Sequence, residues 1–305
     1  MATLNSRILV TGGSGFVGGH LRAYLTEKGY RIFAPTHREL ELSDGGKVGA
    51  YVAQHDIEMI IHAAAQPPEP LDAADPSQSP NVRVFLNLVN VLGWVKKIIS
   101  FGSGAEYDKR RALVRVKESE FRRFVPADAY GRYKFTIGQY IEAHPGMINV
   151  RLFGVYGPGE DYRNKFISNA IVKNLLGKDI VINQNVVFHY LWVGDLGPIV
   201  EHFLTHEVRH SSYNVVPDDT IDVLAVAALV NRQSPCPSKV SVLQVGLNRE
   251  YTADNTRLHQ EIPNLKFTGY AAGIQQLYQY YQSRVAELDA GAVVQDAYLA
   301  RVRKR

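Results

Sequence analysis

The chain is poor in the residues that mark several protein classes. It has one cysteine, three methionines and two tryptophans in 305 residues. A single cysteine forms no internal disulfide, which fits a reducing compartment and excludes a disulfide scaffold. Cys236 lies between two prolines in "SPCPS" with no base beside it in sequence, so a structural role is expected rather than a catalytic thiol. No apolar run has the length of a membrane span, and the start, "MATLNSRILV", lacks the basic end and long apolar stretch of a secretory leader. A cytoplasmic enzyme without a membrane partner is the expectation. No His/Cys/Asp/Glu spacing suits a metal, and His62, His189 and His202 read as packed or surface residues. The net charge of +4 comes largely from the tail "ARVRKR". Elsewhere basic residues are mixed with acids, without the basic stripe of a nucleic-acid protein.

What is present is an ordinary globular composition, 46% apolar and 21% charged. The first half alternates short β-branched runs with amphipathic stretches. Strands are expected at 7–12, 30–36, 57–65 and 96–103, separated by helices at 17–29, 46–56 and 81–92, with a Pro-rich loop over 67–80. That rhythm means βαβ units and a doubly wound parallel sheet of the Rossmann kind. A helix over 128–144 and a strand over 148–158 continue it. Beyond Pro158 the elements shorten, with a closing helix over 271–288. The division expected is a dinucleotide-binding domain over 1–158 to which 186–210 returns, a smaller α/β substrate lobe from 159–185 and 211–288, and a solvated basic tail over 289–305.

The glycine run "VTGGSGFVGGHL" follows the first strand and opens the first helix. Gly12 permits a tight turn, Gly15 lets backbone approach a pyrophosphate, and Gly18 lets helix and strand pack closely. The helix N-terminus supplies donors and a positive dipole. An NAD site usually carries an acid at the end of the second strand. Here that end reads Thr36-His37-Arg38, with no acid until Glu39. Cations there suit a 2′-phosphate, so NADP(H) is preferred and NAD(H) stays open. In "DAYGRYK", Tyr130 and Lys134 are four residues apart, on one face of the expected helix. A nearby ammonium favours phenolate and brings a phenol toward useful acidity.

With "IIHAAA", "SFGSGAEY" and "RLFGVYGPG" in the same order and spacing, the chain resembles the extended short-chain dehydrogenase/reductases, the epimerase/dehydratase type that acts on nucleotide sugars. Within that family it looks nearest to the GDP-fucose synthase-like reductases of nucleotide-linked 4-keto-6-deoxy sugars. The resemblance implies a catalytic set. Tyr130 is general acid/base, Lys134 holds the ribose and lowers the Tyr130 pKa, and Ser103 hydrogen-bonds the reacting oxygen. It implies cofactor contacts at Ser14, Phe16 and Val17 in the glycine loop, at His37, Arg38 and Leu42, at Ala63, Ala64 and Ala65, and at Phe153 and Val155 beside the nicotinamide. It also implies a homodimer through the helices near 81–92 and 128–144.

The departures narrow the chemistry. Sugar-nucleotide 4,6-dehydratases carry an Asp-Glu pair after the Ser/Thr; here stand Gly104 and Ala105, and Glu106 is expected to point elsewhere. GDP-fucose synthase epimerises with a cysteine where this chain has Ala105, and a histidine near the place of Lys165. Gly154 stands for the family's Asn, and Phe188-His189 for an Arg-acid pair that helps hold the diphosphate. Arg163, Lys165, Lys173 or Arg249 are the replacements on offer; with Ser103 and Gly104, Lys165 and Arg249 complete the expected substrate contacts. The reading is NADP(H)-dependent reduction of a 4-keto-6-deoxy sugar. A nucleotide-sugar 4-epimerase with tightly bound NAD is the enzyme alternative, and a dinucleotide-binding protein without turnover the other.

Overall fold

The computed structural model describes residues 1–67 and 75–303. The Pro-rich loop expected over 67–80 falls partly outside them, as do Lys304 and Arg305 of the tail. The chain opens with β1 (Arg7–Thr11), α1 (Phe16–Glu27), β2 (Arg31–Phe33), α2 (Gly45–Gln54) and β3 (Met59–His62). Next come α3 (Pro80–Val89), β4 (Lys97–Ser103), β5 (Leu113–Val116), α4 (Ala129–Ala143) and β6 (Met147–Leu152). The later elements are β7 (Gly154–Tyr156), α5 (Phe166–Leu175), β8 (Ile180–Asn185), β9 (Val187–Phe188), β10 (Tyr190–Trp192), α6 (Leu196–Thr205) and β11 (Ser212–Val215). They continue through β12 (Ile221–Asp222), α7 (Val223–Asn231), β13 (Val240–Leu247), β14 (Tyr251–Ala253), α8 (Thr256–Glu261) and α9 (Tyr270–Gln282).

Six parallel strands form the main sheet in the order β11-β6-β4-β3-β1-β2. Both faces are covered, so the central strands are near-continuous apolar runs rather than alternating ones. Strand geometry still sorts them: Ile8, Val10 and Ile61 enter the core on one face, Leu9, Ile60 and Ile98 the core on the other. The fold is the expected α/β doubly wound one. Helix starts follow the side chains available: Asp44 caps α2 by accepting from the Lys47 amide, and Asp128 caps α4 by accepting from that of Gly131.

The smaller lobe has its own core, built from α5, α7 and α9 around residues such as Ile171, Val226 and Leu277. A four-stranded sheet, β12-β9-β14-β5, lies at the seam. Three differences from the sequence expectation stand out. The strand expected over 30–36 ends at Phe33, because Pro35 has no amide to give a ladder and Thr36–Leu40 turns back on itself. Ser212–Val215, expected within the substrate lobe, pairs with β6 as the sixth strand of the main sheet, its Tyr213 and Val215 filling that sheet's core. The tail is not simply solvated. Helices Ala290–Gln295 and Ala297–Arg303 form there, Val293 and Leu299 are buried, and Asp296 pairs with Lys173.

Candidate active site

The glycine loop is built for backbone proximity. Gly12 has φ +69°, and a Cβ on it would stand 2.7 Å from the Ala64 amide nitrogen. A Cβ on Gly18 would stand 2.2 Å from the Gly12 carbonyl oxygen, so α1 meets β1 only through a glycine there. Gly18→Ala is expected to push α1 off the strand and weaken NADP(H) about tenfold or more, read by quenching of protein fluorescence. His62, buried behind the loop, hydrogen-bonds Thr11 Oγ1 at 2.8 Å. Burial, with Lys134 nearby, pushes its pKa down to about 3, so it is a neutral structural group.

A cleft beside the loop is lined by Gly12, Ser14, His37, Leu42 and Ala64, and also by Pro35, Thr36 and Leu40, which sequence reasoning missed. Those three are readable only once β2 is known to stop early. Gly15 and Phe16 line an adjoining cleft at the α1 N-terminus with His20 and Arg22. Val17 and Ala63 pack on the core instead. Arg38 is exposed. The Glu39 carboxylate folds back to accept from the Thr36 amide at 2.7 Å and from its hydroxyl at 2.9 Å, which lowers its pKa. An acid therefore does fold back to the segment that follows the second strand, with one of its oxygens engaged by Thr36. The loop's cradle and this cleft fit a dinucleotide.

Ser103 ends β4 and caps the turn Gly104–Tyr107, its Oγ accepting from the Ala105 amide at 3.2 Å. Tyr130 approaches it from α4, and the Ser103 hydroxyl favours the Tyr130 phenolate, against burial, which raises that pKa. Lys134 donates to the Phe101 carbonyl at 2.6 Å, which fixes the ammonium one helical turn from Tyr130. Burial lowers the Lys134 pKa to about 8, and Glu106 opposes the fall. The catalytic residues expected from the sequence are thus brought together.

Glu106 points away from the site, as expected. It is fully buried, pairs with Arg151 Nε at 2.6 Å and accepts from the Ser103 amide at 2.9 Å. The two positions before it are closed. A Cβ on Gly104 would stand 2.6 Å from the Phe153 ring, so the carboxylate a dehydratase places there has no room. Ala105 is buried. Phe153 and Val155 lie where β6 runs into β7, Phe153 stacking on Tyr107 and tilting against Tyr251 at 4.8 Å. Gly154 is explained by packing: a Cβ there would meet the Tyr190 ring at 2.6 Å. His189 is buried under β14, its Nδ1 accepting from the Ala253 amide.

Of the expected substrate contacts, Lys165 is exposed at the start of α5 and Arg249 is exposed in the turn before Tyr251. Lys173 is committed to Asp296 at 2.5 Å and Arg163 to Asp161 at 2.8 Å. Tyr251 is the neighbouring residue that sequence reasoning missed outright: its ring packs on Phe153, which in turn covers Gly104.

The chain is similar to known proteins along most of its length. The chain is 25% identical over 315 residues to GDP-L-fucose synthase of Azorhizobium caulinodans, covering 90% of this chain and 96% of that one. It is 26% identical over 235 residues to CDP-glucose 4,6-dehydratase of Salmonella typhimurium, covering 63% of this chain and only 64% of that relative's length. Its fold matches that of GDP-mannoheptose C4 reductase from Campylobacter jejuni, solved with NADP bound, at TM-score 0.78 and 18% identity over 92% of this chain and 100% of that one. The model of the NAD dependent epimerase/dehydratase family matches residues 8–216, and to that family this chain belongs, as an oxidoreductase of the extended short-chain dehydrogenase/reductase type.

Proposed function

We propose that the protein reduces a nucleotide-linked 4-keto-6-deoxy sugar with NADP(H). The observation that carries this reading is that Ser103, Tyr130 and Lys134 converge while Gly104 and Ala105 bring neither acid nor thiol, and Phe153 fills the space at Gly104. Carbonyl reduction needs only the first three groups; dehydration and C3/C5 epimerisation need more. When bound, the dinucleotide supplies hydride to the sugar carbonyl carbon. Tyr130 gives its proton to the developing alkoxide, and the Ser103 hydroxyl stabilises that oxygen's charge. Lys134 holds the ribose and favours the phenolate left behind. The α1 N-terminus takes the diphosphate, His37 and Arg38 the 2′-phosphate, and Ala64, Ala65, Phe153 and Val155 border the channel to the nicotinamide.

Rings of Phe153, Tyr251, Phe188 and Tyr190 run in contact at 4.8, 5.7 and 5.1 Å. This aromatic face, which includes Phe188 where the family carries an Arg-acid pair, suits the C–H face and methyl of a deoxy sugar. Lys165 and Arg249 are the cations left for the nucleotide's diphosphate. The same reading includes a homodimer through α3 and α4, two intimately packed lobes, and a cytoplasmic location. Among the described residues no helix is long and apolar enough to cross a membrane.

A nucleotide-sugar 4-epimerase that retains NAD is the second reading, favoured by the Glu39 carboxylate at Thr36. Denaturing the purified protein and identifying any released nicotinamide separates the two. An empty protein whose fluorescence NADPH quenches at about tenfold or more lower concentration than NADH is expected, the discrimination of one or two charge-assisted bonds. Stoichiometric NAD(H) that survives purification means a recycled hydride and the epimerase.

A further inference from the structure

Lys109 stands against the N-terminal end of α4, beside Tyr130. The turn after Ser103 ends at Tyr107, and Asp108 follows it at φ +65°, a left-handed conformation that costs energy in any residue but glycine. Side-chain bonds hold Asp108 there. Its buried carboxylate is gripped by the Arg110 guanidinium, Nε at 2.9 Å and Nη2 at 2.7 Å, and the same Nη2 donates to the Val125 carbonyl at 3.1 Å. Arg110 thereby ties the segment after Ser103 to the segment that leads into α4. Lys109 lies between the two gripped residues and is turned onto the start of that helix.

Its ammonium meets two groups there. Nζ donates to Asp128 Oδ1 at 3.2 Å, and it lies over the Tyr130 ring, 5.7 Å from the centroid. Asp128 is needed where it is: the same Oδ1 accepts from the Gly131 amide at 3.0 Å and starts the helix that carries Tyr130 and Lys134. The cap that positions the phenol therefore puts a carboxylate two residues from it, where negative charge opposes loss of the phenol's proton. Glu106, the other acid nearby, has Arg151 against it at 2.6 Å. Lys109 stands against Asp128 in the same way.

We propose that Lys109 is a positioning residue for Tyr130: paired with Asp128 and lying over the ring, it offsets the charge of the helix cap beside the catalytic phenol. The phenolate left after proton transfer then meets a balanced ion pair rather than a bare carboxylate. The other charged and titratable groups around it are Glu106 with Arg151 beneath the turn, and Arg132, Tyr133 and Lys134 on α4. Asp108 and Arg110 face each other. Tyr251 approaches from β14, and burial keeps it protonated.

This inference rests on Tyr130 being the acid of the proposed reaction, but its test needs no substrate. The phenolate absorbance of the NADP⁺-loaded protein is titrated against pH. With 17 tyrosines present, Tyr130 is isolated as the difference between a protein and its Tyr130→Phe counterpart. Lys109→Met keeps an unbranched stem and leaves the Asp128 charge bare. It is expected to raise the Tyr130 midpoint by about 0.5 pH unit, the scale of a partly exposed cation over a ring. The rise should shrink at about 1 M salt, because both members of the pair are open to water. Lys109→Arg keeps the charge and should keep the midpoint. Asp128→Asn still caps the helix. It should lower the midpoint when Lys109 is present and return that of Lys109→Met close to the native value. An unchanged midpoint in Lys109→Met overturns the proposal. So does a rise that Asp128→Asn fails to reverse, since lost packing would not answer to the partner's charge. Either result leaves the substrate reading standing, and failure to reduce any 4-keto sugar leaves the titration result standing.

Discussion

Tyr130→Phe is expected to cut turnover by about 10²–10⁴-fold, the range that a positioned general acid supplies. The substitution removes one oxygen. The edge-to-face contact with the Tyr133 ring, 5.5 Å between centroids, survives, and so does the α4 cap on Asp128. Lys134 keeps its bond to the Phe101 carbonyl, so the ammonium proposed to hold the ribose stays in place. NADPH affinity should therefore move by less than about threefold, the size of a weak exposed contact. Ser103 remains to stabilise the alkoxide, which is why some turnover persists. The measurement follows NADPH consumption with a panel of nucleotide 4-keto-6-deoxy sugars, alongside NADPH quenching. Full turnover in the variant refutes Tyr130 as the acid, whereas loss of turnover together with loss of cofactor binding reduces it to a structural residue.

The parts of the site legible in the sequence are those whose chemistry is local. A glycine loop, a Tyr and Lys one helical turn apart, and a serine closing an apolar run each sit within a few residues of chain. Position in the fold then follows from the β-branched runs, buried on both faces in β1, β3 and β4. What was not legible depends on register between distant strands. Glu106 reads as an acid that points away from the site, but not to what; only the β4–β6 pairing, with Gly102 opposite Arg151, shows that its partner lies across the sheet. Tyr251 belongs to a three-residue strand with no motif, and its place beside the site comes from its contact with Phe153. Ser212–Val215 looks isolated because the element it pairs with, β6, is separated from it by most of the lobe's first half. The Glu39–Thr36 turn-back was hidden for the opposite reason. It is local, but an acid three residues after a threonine in a loop gives no hint of folding back to it.

The pair under the site carries the largest stability effect. Arg151 and Glu106 are both fully buried. Besides Glu106, Arg151 pairs with Glu142 at 3.0 Å and lies 4.1 Å over the Phe121 ring, while Asn149 donates at 3.1 Å to Glu106 Oε2, the oxygen that Arg151 also binds. Arg151→Leu strands a carboxylate in the interior, and removing one partner of a buried ion pair costs about 3–5 kcal/mol. That is a large part of the ~5–15 kcal/mol by which proteins are usually stable. A fall of that size in urea-unfolding free energy is expected, together with lower turnover, because Glu106 also holds the Ser103 amide. Adding Glu106→Gln removes the stranded charge while keeping an acceptor for that amide. The double variant should recover at least about 1 kcal/mol, the scale of a satisfied neutral hydrogen bond over a stranded charge. Recovery of stability without recovery of turnover would mean the carboxylate also acts electrostatically, by supporting the Lys134 ammonium from beneath. No recovery at all would mean that Arg151 stabilises chiefly through its stacking on Phe121 and its bond to Glu142, with Glu106 the weaker partner.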